Sequence, residues 1–220
     1  NVGLARAENP MDVTQNADVF VEVSGLIKAL AVNVSKIAND LRLMSSGPRA
    51  GLAEIKLPER QAGSSIMPGK VNPVIPEAVN QAAFHVMAAD LAVTLAAQAG
   101  QLELNAFLPL VAHHLLGSLE IMTKCVKMFT DFCIAGIEAK VEDCREMLDE
   151  SLAAVTALVP HIGYEAATQV ARIAYSSGRS IREVVIDLNL LGERELDIVL
   201  NPREMTRPGI AGEKALKQME

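Results

Sequence analysis

A serine hydroxyl, a lysine ammonium and an asparagine amide crowd into the stretch GSSIMPGKVNP, residues Gly63 to Pro73. Gly63-Ser64-Ser65 can present a hydroxyl among converging backbone N–H groups, a nest suited to an anion. Lys70 adds a fixed positive charge, and Pro73 holds Asn72 in extended geometry so that its amide joins the group. Hydroxyl, cation and amide together make a carboxylate-handling site. The competing reading is a surface crossover, in which glycine and proline set turns, Ser64 and Ser65 are solvated and Lys70 is an ordinary surface cation.

The elements that must position these residues are long helices. The stretch lies in a connection spanning residues 46–75 that contains four prolines and four glycines. Structureless connections of such length are uncommon in compact domains and are usually functional. Before it, Phe20, Val23, Ile27, Leu30, Val34, Ile37, Leu41 and Met44 recur at steps of three and four. That seam predicts a helix from about Asn16 to Ser45, roughly 45 Å long. Its other faces carry Val21, Leu26, Ala31, Val32 and Ala38, so it must be enclosed by several neighbours. A second helix is expected to start at Pro76, a favoured first position, and to run to about Gly100 with Ala-rich faces. A third covers about Leu108 to Ala135, with Val111, Leu115, Met122, Val126 and Phe129 along one stripe.

Beyond about Gly136 the chain becomes shorter, more charged helical pieces punctuated by Gly163, Gly178 and Gly192. Ser180 with Glu183, and Gly192 ahead of ERELD, are helix-start signals. The last segment, from Asn201, has proline and glycine with weak periodicity and is expected to end in a mobile tail. The expected fold is all-α: a long-helix bundle over 1–137 that carries the loop 46–75, then a small C-terminal helical domain over 138–220. Surplus apolar surface on the bundle predicts oligomer contacts.

Composition agrees. Half of the 220 residues are hydrophobic while only 3% are aromatic, an aliphatic palette suited to helix bundles. A net charge of −7 without a basic run argues against a nucleic-acid binder. No apolar run reaches the ~18 residues of a membrane span, and no signal peptide is expected, which favours the cytoplasm. Cys125, Cys133 and Cys144 lack C-x-x-C spacing, so reduced thiols are expected and neither a disulfide nor a metal cluster. The absence of an initial Met suggests a segment of something larger.

Other polar residues have simple readings. His113 and His114 are adjacent on a helix and diverge by roughly 100°, unlike a helical metal pair, so packing or an interface suits them. His85 reads as a satisfied bundle histidine and His161 as a cap at a helix break. Asn105 reads as a buried structural amide. Arg49 could face a dianion or seal a helix end.

The loop GSSIMPGKVNP resembles the signature of the aspartase/fumarase superfamily, homotetramers that cleave a C–N or C–O bond and release fumarate or a substituted fumarate. KIANDLRLMSSGPRAGLAEIKLPE and QLELNAFLPLVAHHLLGSLE are similar to the family's flanking helices, and HIGYEAA to its small C-terminal domain. The resemblance therefore covers essentially the whole chain. TQNAD at Thr14 to Asp18 and PVIPEAVNQ at Pro73 to Gln81 look like the ammonia-lyase branch rather than the hydratases.

The resemblance implies elimination of ammonia from L-aspartate to give fumarate. Ser64 would be the general base, ionised as an alkoxide, and Lys70 and Asn72 would stabilise a dianionic aci-carboxylate. Ser65, Ile66 and Met67 would close over the substrate on the hinges Gly63 and Gly69. Glu77 either complements the dipole of its helix or, as the family implies, orients a histidine of the site that lies outside this sequence. No cofactor is implied and no metal ligand set is present. The family's sites combine segments of three subunits, and its members are about twice this length. The present chain by itself is therefore expected to show no lyase turnover. The remaining readings are a class II fumarate hydratase and, of another kind, a non-catalytic helical assembly module.

Overall fold

The computed structural model describes residues 3, 5–61 and 71–218. These form two compact units, Asn1–Lys140 and Val141–Glu220.

The first unit is built on three long helices. After a single turn, α1 (Asp12–Gln15), the chain enters α2 (Asp18–Met44), with Asp18 in its first turn and Arg42 in its last, each complementing the helix dipole. The buried face of α2 is Ser24, Ile27, Ala31, Val34, Ser35, Ala38 and Leu41. This differs from the expected seam: Leu30 and Ile37 are exposed, and Ala31 and Ala38 take the inward positions. Alanine at the contact lets the neighbouring backbone approach, so the packing selects the small residues of the period and leaves the larger ones outside.

The central helix is α3 (Val74–Gln98), packed on α2 along one side and on α4 (Leu108–Phe132) along the other. It starts two residues before Pro76. Pro73 occupies the cap position and its carbonyl accepts the N–H of Glu77 at 3.1 Å, so Pro76 sits inside the first turn, where its missing N–H costs nothing. On α4 the buried stripe is Val111, Ser118, Met122, Cys125 and Phe129; Val126, expected inside, is exposed. One core joins Ile27, Val34, Leu41, Val79, Val86, Met122 and Phe129.

The turn from α3 to α4 depends on Asn105, which is 3% exposed. Its Nδ2 donates to the carbonyls of Ala96 and Ala97, both at 3.1 Å, and its Oδ1 accepts the N–H of Phe107 at 2.8 Å. The buried structural amide expected from the sequence is what the structure contains.

A short ribbon unexpected from the sequence closes the unit. Strand β1 (Ile55–Lys56) pairs antiparallel with β2 (Glu138–Ala139), and the N–H of Lys140 donates to the Glu54 carbonyl at 2.9 Å.

The second unit contains α5 (Val141–Glu150), α6 (Val155–Ile162), α7 (Tyr164–Ser177), α8 (Ile181–Asp187), α9 (Glu193–Val199), α10 (Pro202–Met205) and α11 (Glu213–Leu216). Its core includes Leu158, Val170, Ile181, Val184, Leu196 and Val199. Ser180 and Glu183 form a reciprocal capping box at α8, and Glu195 accepts the Gly192 N–H at 2.7 Å to open α9. The last segment, from Asn201, expected to end in a mobile tail, is packed into the unit by its described residues. Asn201 caps α10, Ala211 enters the core, and a Cβ on Gly212 would meet the Ile198 side chain at 2.9 Å. His161 takes part in this closure. Its Nε2 lies 2.8 Å from the Ala211 carbonyl, a tie across fifty residues rather than a local cap.

Candidate active site

Of the residues that the sequence singles out for chemistry, Gly63, Ser64, Ser65, Ile66, Met67, Gly69 and Lys70 lie outside the described residues. Asn72 and Glu77 are described, and so are the two stems that lead into and out of the stretch. Both stems reach the same groove at one end of the three-helix bundle. Pro58 from the incoming stem, Asn72 and Pro73 from the outgoing one, and Phe132 and Cys133 at the end of α4 line it.

Three contacts fix the incoming stem. Leu57 is buried in the bundle core. Pro58 lies so close to Gly136 that a Cβ there would stand 2.6 Å from its ring, which only glycine allows. Arg60 donates from Nε to the Phe132 carbonyl at 3.0 Å and sets its guanidinium 5.1 Å from the centre of the Phe132 ring. A cation at the carbonyl end of a helix is favourable, and the ring adds a cation–π contact. Beneath it, burial pushes the Cys133 thiol above its ordinary range, with the Arg60 charge opposing. Burial alone raises Cys125. Both thiols therefore stay protonated and inert, in keeping with core filling.

The outgoing stem passes directly into α3. The Val74 N–H donates to the Asn72 carbonyl at 2.9 Å, so Asn72 stands at the positive end of a 25-residue helix, where negative charge is favoured. One turn on, Glu77 is half-buried and its Oε1 lies 3.8 Å from Nη2 of Arg42 on α2. From Nη1 the same guanidinium donates to Oδ1 of Asn80 at 3.2 Å. Asn80 is buried, and its Nδ2 donates to the carbonyl of Ser35 at 3.1 Å and to the Ser35 hydroxyl at 2.9 Å. A polar line therefore runs from the α2–α3 interface to the mouth of the loop. Sequence reasoning missed Arg42, Asn80, Ser35 and Arg60. A basic residue in the last turn of a helix carries only a dipole signal, and the partners of Arg42 are 35 and 38 positions away.

The remaining candidates stand apart from this line. His85 is exposed on α3, not a satisfied bundle histidine. His113 and His114 meet edge to face, with ring centres 5.3 Å apart. Arg49 is exposed in the turn after α2. The last carbonyls of that helix are taken by other groups: the Ser46 hydroxyl donates to Leu43 at 2.6 Å, and the Glu54 N–H to Met44 at 2.9 Å. A second polar cluster lies between α2 and α3, where the buried Asp90 accepts from Ser24 at 2.8 Å and from the half-exposed Lys28 at 2.5 Å.

Comparison with known proteins bears on the same segments. Residues 1–88 match a family described as lyase, and residues 155–207 one described as fumarase C C-terminus. Aspartate ammonia-lyase of a Bacillus species is 54% identical over 96% of this chain, that of Bacillus subtilis 52% over 98%, and that of Pseudomonas fluorescens 50% over 96%. The chain spans about 45% of the length of these curated relatives. Among solved structures, fumarate lyase:delta crystallin from Brucella melitensis superposes with a TM-score of 0.86 at 48% identity, covering 93% of this chain and 44% of that one. A class II fumarase from Schistosoma mansoni gives the same TM-score at 37% identity, covering 93% and 43%.

Proposed function

We propose, from the premise that the chain belongs to the aspartase/fumarase superfamily, that it serves the elimination of ammonia from L-aspartate to give fumarate. The observation that carries this reading is the difference in identity. Relatives named aspartate ammonia-lyase share 44–54% with this chain, and the class II fumarase, which superposes with a TM-score of 0.86, shares 37%.

In this reading Ser64, as an alkoxide, removes a proton from C3 of aspartate. The electron pair moves into the adjacent carboxylate and produces a dianionic aci-carboxylate. Collapse of that species forms the C2–C3 double bond of fumarate and expels ammonia from C2; the proton taken by Ser64 returns to solvent. The new charge arises beside a carboxylate that is already negative, so stabilising it in the transition state is the main catalytic task. Lys70 supplies the fixed cation. Asn72 supplies an amide at the positive end of α3, and that supports its role as a second donor. Ser65, Ile66 and Met67 cover the substrate, with Gly63 and Gly69 as hinges. Glu77, one turn inside α3, faces the same end and acts as a carboxylate of the site.

The working assembly in this proposal is a homotetramer with shared sites. Support comes from large apolar side chains left exposed on the three long helices, among them Leu26, Leu43, Leu91 and Leu116. The cytoplasm is its compartment, a reading in keeping with the buried thiols of Cys125 and Cys133.

The test is substrate choice by the full-length polypeptide, followed as fumarate formation. Turnover of L-aspartate with no turnover of L-malate is the expected result. Turnover of malate alone would replace this reading with the hydratase, and turnover of neither would leave a non-catalytic assembly protein.

A further inference from the structure

We propose that Arg42 is a positioning residue for the reaction, holding the Glu77 carboxylate in its working direction through an orientation that Asn80 and Ser35 impose. This rests on the reading of Glu77 as part of the active site.

The argument starts from a donor count. A buried asparagine has two N–H donors and one carbonyl oxygen. In Asn80 both donors are used by Ser35, on its carbonyl and its hydroxyl, at 3.1 and 2.9 Å. Turning the amide over would set its oxygen against the Ser35 carbonyl and its NH2 against the Arg42 guanidinium, so the observed orientation is the only satisfied one. Oδ1 of Asn80 is thereby aimed at α2, where it receives Nη1 of Arg42 at 3.2 Å.

The guanidinium is planar, so engaging Nη1 fixes where Nη2 points. It points at Oε1 of Glu77, 3.8 Å away. At that separation the pair is an ion pair just beyond direct hydrogen-bond length, which orients the carboxylate while leaving its oxygens able to accept a shorter bond from another donor. A helix-dipole role for Arg42 would be satisfied by any cation in the last turn. It would require neither Asn80 nor a planar fork. Lysine, a single point donor, cannot hold Asn80 and Glu77 together.

The pair has partly exposed side chains, 42% for Arg42 and 41% for Glu77, so its contribution to stability is small. The buried part of the line is the Asn80–Ser35 end, which means that the rigid support lies in the α2–α3 core and the directed group at the loop mouth. The Glu77 backbone is fixed in the first turn of α3, its N–H donating to the Pro73 carbonyl at 3.1 Å. That bond fixes the Glu77 backbone on Pro73, the residue that follows Asn72, so a carboxylate that swings there is displaced relative to the amide proposed to meet substrate.

The experiment is a double-mutant cycle on the full-length enzyme with L-aspartate, using Arg42→Met, Glu77→Gln and the pair. Arg42→Met is expected to lower kcat by about ten- to a hundred-fold, the range that misplacement of a catalytic group produces, with KM nearly unchanged. In the Glu77→Gln background the same change is expected to cost less than about twofold, because the group it orients has already lost its charge. Multiplicative losses would overturn the proposal and make Arg42 a merely structural residue. Should Arg42→Met fail to assemble, Arg42→Lys enters the cycle in its place with the same expectation, since it keeps the charge and loses the fork. If Glu77→Gln alone turns over at the wild-type rate, the reading of Glu77 fails and the proposal falls with it, an outcome distinct from multiplicative losses.

Discussion

Replacing Asn105 by alanine removes three hydrogen bonds at the α3–α4 turn, and the structure shows how each would be left. The Ala96 carbonyl is buried with its donor and would stay unpaired, at a cost of about 1–3 kcal/mol. The Ala97 carbonyl and the Phe107 N–H are partly buried, so water can reach them and each loses about 0.5–1 kcal/mol. The sum is about 3 kcal/mol. Asn105→Asp is the sharper variant because it is nearly isosteric. It keeps an acceptor for Phe107 but turns a carboxylate oxygen toward two carbonyls 3.1 Å away, and it is expected to destabilise more than alanine does. The assay is chemical denaturation of the full-length protein, following the transition that unfolds the bundle. A loss below about 0.5 kcal/mol for alanine, or an aspartate variant as stable as wild type, would refute the accounting of Asn105 as the buried link of this turn.

Two further outcomes follow from the loop stem and the core. Gly136→Ala places a methyl group 2.6 Å from the Pro58 ring and is expected to cost about 1–3 kcal/mol, read by thermal denaturation; an unchanged melting temperature would mean that the stem moves freely. Burial raises Cys125 and Cys133 above the ordinary thiol value of 9.0, so the unfolded chain releases these protons first. Their contribution to stability is complete below that value and is lost as pH rises through the higher folded values. Cys125→Ala with Cys133→Ala should therefore flatten the alkaline decline in unfolding free energy, and an equally steep decline would contradict the assignment.

The sequence shows the three long helices because periods of three and four persist over some 25 residues, and the structure contains them as α2, α3 and α4. It does not show which of several apolar stripes turns inward. On α2 the choice fell on Ala31 and Ala38 over Leu30 and Ile37, a decision made by the backbone approach of α3 and invisible within one helix. The same limit explains Cys125 in place of Val126 on α4. Asn105 was legible since a polar residue between apolar neighbours near a turn has few other uses. The closing tail was not: its order comes from His161, Ile198 and Ala211, whose separations in sequence carry no local signal. The Arg42–Asn80–Ser35 line was hidden for the same reason. Chemical types within Gly63 to Pro73, a hydroxyl, a cation and an amide in one short stretch, suggest carboxylate handling, and most of that stretch lies outside the described residues.

The most direct measurement is the turnover of L-aspartate by full-length Ser64→Ala, with assembly checked by sedimentation. Loss of the proposed general base is expected to lower kcat by about 10²–10⁴-fold while the assembly state stays that of wild type. Turnover within about twofold of wild type would contradict proton abstraction by Ser64.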